Sequence, residues 1–216
     1  MTENHFRSGL KAHFSEEQIQ LLASVRVGIA GAGGLGSNAA AHLVRSGIRR
    51  LVVADFDRVE ASNLNRQFYF ADQLGLKKVA ALKVNLLRID PSLEMESVDL
   101  RLDAANIRHT FRNCTIVLEA LDRARDKKMM ADCFLTDSRL FVCASGIGGW
   151  GDADRIHTRK IGGTNYVVGD GRSETSAAMP PTAAIVGIAA AKQADIVVAA
   201  ILNKQVGAQV AFPGTG

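Results

Sequence analysis

The sequence predicts an α/β protein: a doubly wound, mainly parallel sheet with helices on both faces and a C-terminal antiparallel extension. Three observations carry this prediction. Short apolar runs alternate with helical spacings through residues 23–145, the order of a sheet wound with crossover helices. The first run passes into Gly31-x-Gly33-x-x-Gly36 and the second stops at Asp55, which is the strand, glycine turn, helix, strand, acid order of a nucleotide-binding unit. Beyond Gly146 the composition changes, and two strand-like runs separated by Gly162-Gly163 read as an antiparallel hairpin. With 216 residues, 47% of them hydrophobic, a single domain accounts for the chain. Its parts are a core over 23–145, a hairpin and crossover segment over 146–182, and a closing helix over 182–203.

Each element has a local reason. Ser15-Glu16-Glu17-Gln18 is a capping box, so a short helix runs to about Ser24 before the first strand at 25–30. A helix of small residues follows over 37–46, and the second strand occupies 51–54. Residues 57–67 are too polar and aperiodic for a strand, and their density of hydrogen-bonding side chains marks a binding loop. Apolar residues at 79, 82, 86 and 89 place a helix over 77–89, which Asp90-Pro91 ends. Strands are expected at 93–100, 115–118 and 140–144, with helices at 104–111 and 123–135 between them. The hairpin pairs 156–160 with 166–168. A polar, mobile loop spans 169–181, and the last helix starts after Pro180-Pro181. The tail from Val206 has nothing evident to dock against and is expected to fray.

The glycine turn has a physical logic. Gly31 permits the tight turn, Gly33 lets backbone approach phosphate, and Gly36 lets the helix pack closely on its strand. The helix N-terminus then faces the anion. Asp55, 24 residues after Gly31, stands where an acid can hydrogen-bond a ribose hydroxyl. Asn63, Arg66, Lys78 and Asp122 fall where a parallel sheet puts its ligand crevice, outside the carboxyl ends of the strands. Arg66 can fork onto phosphate oxygens, Lys78 can supply a point charge, and Asp122 can hold Mg²⁺ with phosphate and water completing the octahedron. Together they describe a triphosphate site. Taken singly, each also reads as an ordinary residue: a solvated loop arginine, one of two adjacent lysines, a helix N-cap.

Composition narrows the class of protein. The formal charge of +4 comes from scattered residues, and no nucleic-acid-binding motif accompanies it. Cys114, Cys133 and Cys143 form neither a Cys-x-x-Cys pair nor an even set, so a reducing, cytoplasmic location is expected. Residues 1–11 are polar and charged and lack the apolar run of a secretory leader. The stretch 182–202 approaches membrane length, yet it carries Lys192, Gln193 and Asp195 and is rich in Ala, which suits a buried packing helix.

These residues resemble the ThiF/MoeB/HesA group of adenylyltransferases, related to ubiquitin-activating enzymes. The resemblance rests on Gly31-Ala32-Gly33-Gly34-Leu35-Gly36-Ser37, Asp55-Phe56-Asp57, Ser62-Asn63-Leu64-Asn65-Arg66-Gln67, Lys78, and Asp122 after an apolar strand. The extended run 54–67 is most similar to a short, thiamine-biosynthesis branch. The resemblance implies a Rossmann-like fold and ATP-dependent adenylation of the C-terminal glycine of a ubiquitin-like sulfur carrier protein with a Gly-Gly tail. It further implies a homodimer. By position it assigns Gly31, Gly33, Gly34 and Gly36, with Asp55, Asp57, Asn63, Arg66, Gln67 and Lys78, to the nucleotide, and Asp122 to Mg²⁺. Arg66, Lys78 and Asp122 carry the catalysis in that assignment.

Two features depart from the group. Many members bind zinc through two Cys-x-x-Cys pairs, and neither pair exists here, so no zinc is expected. Members that transfer sulfur keep a cysteine beyond the last core strand, and 146–205 contains none. Many also take an N-terminal arginine from the partner subunit, a role for which Arg7 is the nearest residue. Rival readings are an NAD-dependent oxidoreductase, a non-catalytic carrier-binding subunit, and an enzyme that adenylates a small-molecule or tRNA-attached carboxylate. The 146–182 segment would clasp the acyl substrate.

Overall fold

The structure is a computed structural model that describes residues 4–206; the expected fray of the tail beyond Val206 lies outside the described residues. In chain order the elements are α1 (His5–Leu10), α2 (Glu16–Ser24), β1 (Arg26–Ala30), α3 (Gly34–Arg45), β2 (Arg50–Ala54), α4 (Lys78–Leu87) and β3 (Glu94–Val98). There follow α5 (Ile107–Thr110), β4 (Ile116–Glu119), α6 (Ala124–Phe134), β5 (Leu140–Ala144), β6 (His157–Gly162), β7 (Asn165–Gly169) and α7 (Ala183–Val206). The sheet has seven strands in the order β3-β2-β1-β4-β5-β7-β6. All neighbours are parallel except β6 and β7, which form the antiparallel extension. Strand order reverses between β1 and β4, and such a switch point opens a crevice at the carboxyl ends of its strands.

Alternation along the strands builds two cores. Val27, Ile29, Leu51, Val53, Ile116 and Leu118 turn to one face and meet apolar residues of α2, α3, α4 and α7. Ala30, Val52, Ala54, Val117 and Phe141 turn to the other, where Phe111 and Phe134 close the layer. Phe134 stacks on Phe141 with ring centroids 5.8 Å apart and meets Phe111 edge-on at 6.4 Å. On the first face the small residues Ala39 and Ala40 of α3 and Ala189 and Ala190 of α7 are fully buried, which lets the two helices run close together. The stretch Ala183–Asn203 is long and apolar enough to cross a membrane by length and composition, yet half of it is buried inside this fold.

Two sequence boundaries shift for physical reasons, and one helix was not foreseen. Helix α3 begins at Gly34 rather than Ser37, because Gly33 is its N-cap and the glycines form its first turn. The helix expected at 104–111 shrinks to Ile107–Thr110, since Asp103 and Asn106 engage the intervening backbone N–H groups in a turn. Helix α1 went unread among the charged N-terminal residues. Asn4 both caps it and donates to Asp90 at 2.7 Å and Ser92 at 3.1 Å, anchoring it near the amino end of β3. The predicted capping box at Ser15 and Gln18 forms in both directions.

Candidate functional site

A cavity of about 710 Å³ opens at the switch point. Gly31, Gly33, Gly34, Asp55, Asp57, Arg66, Gln67, Lys78 and Asp122 all line it, so residues spread over more than ninety positions converge on one crevice. Gly31 has φ +100°, and a side chain there would sit 2.6 Å from the Ala120 carbonyl of β4's continuation. At Gly33 a Cβ would meet nothing closer than 4.0 Å, so the backbone is bare toward the space a phosphate would take. Gly36 and Asn63 do not line the cavity. A Cβ on Gly36 would lie 1.9 Å from the Gly31 carbonyl oxygen, so this glycine serves the packing of helix on turn. The Asn63 amide is taken up in its own 3-10 turn, accepting from the Glu60 N–H at 3.1 Å and donating to Ser62 Oγ at 3.4 Å.

The carboxylate of Asp55 holds the glycine turn from below. One oxygen accepts from the Ala32 N–H at 2.6 Å, the other from the Asp57 N–H at 2.8 Å. Burial raises the Asp55 carboxyl, and these two backbone donors oppose the rise. Tyr69, buried behind the turn, donates to the Ala32 carbonyl at 2.7 Å. Lys78 opens α4 with its side chain 7% exposed, and its ammonium pairs with Asp57 at 2.9 Å. Arg66 is half-buried and bonds the Ser62 carbonyl at 2.9 Å and Asn65 Oδ1 at 2.8 Å, while Asn38 of α3 steadies its backbone carbonyl at 2.8 Å. Gln67 Oε1 is buried without a hydrogen-bond partner among the described residues, an orphaned acceptor beside the crevice.

Asp122 is exposed, and its carboxylate carries no hydrogen bond or ion pair among the described residues. Among the described residues no group of three or more His, Cys, Asp or Glu stands together to hold an ion. That donor set fits Mg²⁺ in the form that keeps its waters and takes one or two carboxylates plus phosphate oxygens.

Sequence reasoning missed several residues of this crevice. Arg101 lies over the Phe56 ring at 5.4 Å, and both line the cavity beside Asp55. Glu119 at the end of β4 is 1% exposed and pairs with Lys127 at 3.0 Å. The signal for that pair was an acid closing an otherwise apolar strand, which is costly unless a cation meets it. The loop over 169–181, expected to be mobile, is tied down at several points. Arg155 bonds Asp170, Ser173 at 2.6 Å and the Gly148 carbonyl, and Gly149 bridges to Pro181. Burial pushes the Asp170 carboxyl up, but donors from Ser173, Arg172 and Arg155 outweigh it and hold the group well below the usual carboxylate range. Ser173, Glu174, Thr175 and Pro181 of this segment also line the crevice. Arg7, on α1, lies with the Asn4 anchor at the amino end of β3, away from its own chain's crevice.

Fold and site together define a doubly wound α/β protein whose switch-point cavity is lined by a glycine turn and by the cations Arg66 and Lys78. The chain belongs to the ThiF family, whose match spans residues 7–213. It is 34% identical over 128 residues to the adenylyltransferase and sulfurtransferase UBA4 of Eremothecium gossypii, covering 59% of this chain and 29% of that protein. It is 48% identical over 71 residues to the ubiquitin-like modifier-activating enzyme 5 of Drosophila melanogaster, covering 33% of this chain and 18% of that one. The chain thus spans less than a third of the length of these curated relatives. Its fold resembles the E. coli tRNA N6-threonylcarbamoyladenosine dehydratase TcdA, solved in complex with ATP, with TM-score 0.85 and 20% identity over 94% of this chain and 96% of that one.

Proposed function

We propose that this protein uses ATP and Mg²⁺ to adenylate the terminal glycine carboxylate of a ubiquitin-like sulfur carrier protein, releasing pyrophosphate. The observation that carries the reading is the convergence of bare backbone at Gly33, the cations Arg66 and Lys78, and the unpartnered Asp122 on one cavity. A carboxylate oxygen of the carrier attacks the α-phosphorus, the bond from that phosphorus to the pyrophosphate oxygen breaks, and the acyl adenylate remains. No protein nucleophile is required, so catalysis is positioning and neutralisation of developing charge. Arg66 and Lys78 would face the phosphates, Asp55 the ribose, and the Phe56–Arg101 pair the end of the nucleotide beyond it. Mg²⁺, when bound, would neutralise phosphate charge, and Asp122 is the residue to hold it. The Arg155-anchored segment would form the wall against which the carrier tail lies.

The resemblance of 54–67 to thiamine-branch members supports a role in making the thiazole of thiamine. Homologues that activate ubiquitin-like proteins support the carrier as substrate. A cytoplasmic homodimer fits the same reading, with Arg7 reaching the partner's crevice because its own lies at the other end of the sheet. A second reading is favoured by one specific finding: the likeness to TcdA runs nearly end to end in both chains, which supports a tRNA-attached carboxylate as the group adenylated. NAD-dependent hydride transfer would use the glycine turn but leave Arg66, Lys78 and Asp122 without work.

ATP–pyrophosphate exchange with Mg²⁺ tests these readings, with a Gly-Gly-ended carrier in one arm and threonylcarbamoylated tRNA in the other. Exchange stimulated by the carrier and lost in a folded Asp122→Ala variant is the expected result. Stimulation by the tRNA alone replaces the first reading with the second. Near-normal exchange by Asp122→Ala rejects the metal role.

A further inference from the structure

Under the crevice lies a charged pair that the adenylation chemistry leaves unused. Glu119 closes β4, and its two carboxylate oxygens are divided between two turns: one accepts from the Leu121 N–H at 2.7 Å, the other from the Ala144 N–H at 3.3 Å. Lys127, at the end of the first turn of α6, donates to those same oxygens at 3.0 and 3.1 Å and to the Ala144 carbonyl at 3.0 Å. An ammonium has three protons, and here three acceptors take them. Lys127 lines the cavity, yet it has no donor left for a phosphate. Gln193 of α7 completes the cluster by donating to the Glu119 carbonyl at 3.0 Å.

The partners of this pair are informative. Leu121 immediately precedes Asp122, and Ala144 immediately precedes Ser145 and Gly146, where the crossover segment leaves the sheet. The pair therefore ties the turn bearing the metal-directed carboxylate to the turn that begins the substrate wall. As a source of stability alone it is poorly chosen, because a buried carboxylate paired with a part-exposed lysine gains little over well-packed apolar side chains of similar volume. Its hydrogen bonds, by contrast, fix the relative placement of two loops that would otherwise be joined only through strand pairing.

We propose that Glu119 and Lys127 are positioning residues that clamp the Leu121–Asp122 turn to the Ala144–Gly146 turn and so set the Asp122 carboxylate where it receives Mg²⁺–ATP. The proposal rests on the reading of the crevice as an ATP site. Its effect belongs to the metal-dependent part of nucleotide binding, since neither residue touches the glycine turn, Arg66 or Lys78.

Calorimetry separates that part from the rest. ATP affinity is measured with EDTA and with Mg²⁺ for the wild type, Lys127→Met and the double variant Glu119→Leu/Lys127→Met, alongside thermal melting. Lys127→Met leaves Glu119 buried without its cation and lowers the melting temperature, and the double variant recovers it by removing the stranded charge. All three proteins should bind metal-free ATP within about threefold of one another, while the gain in affinity on adding Mg²⁺ falls about tenfold in both variants, the size of effect typical of residues that orient a metal ligand. Glu119→Gln, which keeps the shape and one acceptor, gives the same readout should Lys127→Met not fold. A double variant that regains both its melting temperature and the Mg²⁺ gain shows the pair to be structural only and overturns the proposal, as does a Lys127→Met variant with the wild-type gain. A wild type that binds ATP with no gain from Mg²⁺ also overturns it while leaving the nucleotide site intact. A wild type that binds no ATP at all overturns the nucleotide reading itself, and this proposal with it.

Discussion

Lys78 shows how a single side chain can be read correctly for charge and incompletely for context. Its position at the start of α4 was legible, and its partner was not: Asp57, twenty-one residues earlier, meets its ammonium because the loop folds back onto the helix. The pair is asymmetric, with Lys78 7% and Asp57 48% exposed. Removing the lysine therefore strands only a half-solvated carboxylate, a small cost to folding. Lys78→Met should melt close to the wild type yet lose about 100-fold in ATP-dependent exchange, the scale of one lost electrostatic stabiliser in a sheltered site; a stopped assay of pyrophosphate release checks it. Asn63 is the contrary case. A string as dense in hydrogen-bonding groups as Ser62 to Gln67 spends part of them on holding itself, and sequence alone does not say which: Asn63 caps the turn, while Arg66 and Gln67 reach the crevice. Glu119 and Lys127 escaped because their meeting depends on how α6 lies against the end of β4.

At the level of elements, the apolar alternation and the glycine spacing made β1, α3 and β2 readable, and the hairpin of β6 and β7 followed from Gly162-Gly163. The placement of β5 beside β7, and the seating of α7 on α3, come from packing and have no local signature. Two glycines in helices show how packing decides the sign of a substitution. Gly36→Ala would drive a methyl to 1.9 Å from the Gly31 carbonyl, and backbone cannot swing aside as a side chain would. A loss of about 3 kcal/mol, near the top of the overpacking range, would lower the melting temperature by roughly 6–12 °C. The glycine turn moves with it, so ATP binding should fail at temperatures where the protein is still folded. Gly187 in α7 has nothing within 4 Å of an added Cβ. Gly187→Ala should gain up to about 1 kcal/mol from the better helix former and raise the melting temperature by about 2–4 °C. Parallel melts of the two variants test the contrast directly.

The whole molecule keeps its reactive-looking groups out of reach of its crevice. Burial raises all three cysteine thiols: Cys114 and Cys143 are pushed up to about 11, and Cys133 also rises. The sign is unfavourable for chemistry, since a thiol at 11 is on the order of one part in a thousand thiolate at pH 8. Cys143 also faces the Glu119 carboxylate, a like charge that further disfavours its ionised form. None of the three lines the cavity, to which the crossover segment contributes Ser173, Glu174 and Thr175 instead. On the proposed reading, acyl transfer to an enzyme thiol would need a nucleophile within reach of the adenylate, and none of the three cysteines stands at the cavity. A variant with Cys114, Cys133 and Cys143 replaced by Ala or Ser, folded by circular dichroism, should support carrier-dependent exchange within about threefold of the wild type, because in-line positioning and charge neutralisation require no thiol. Loss of exchange in that folded variant, or recovery of a carrier thioester on any of the three wild-type cysteines, would show that the protein itself takes the acyl group and that the crevice opens to a thiol this structure keeps buried.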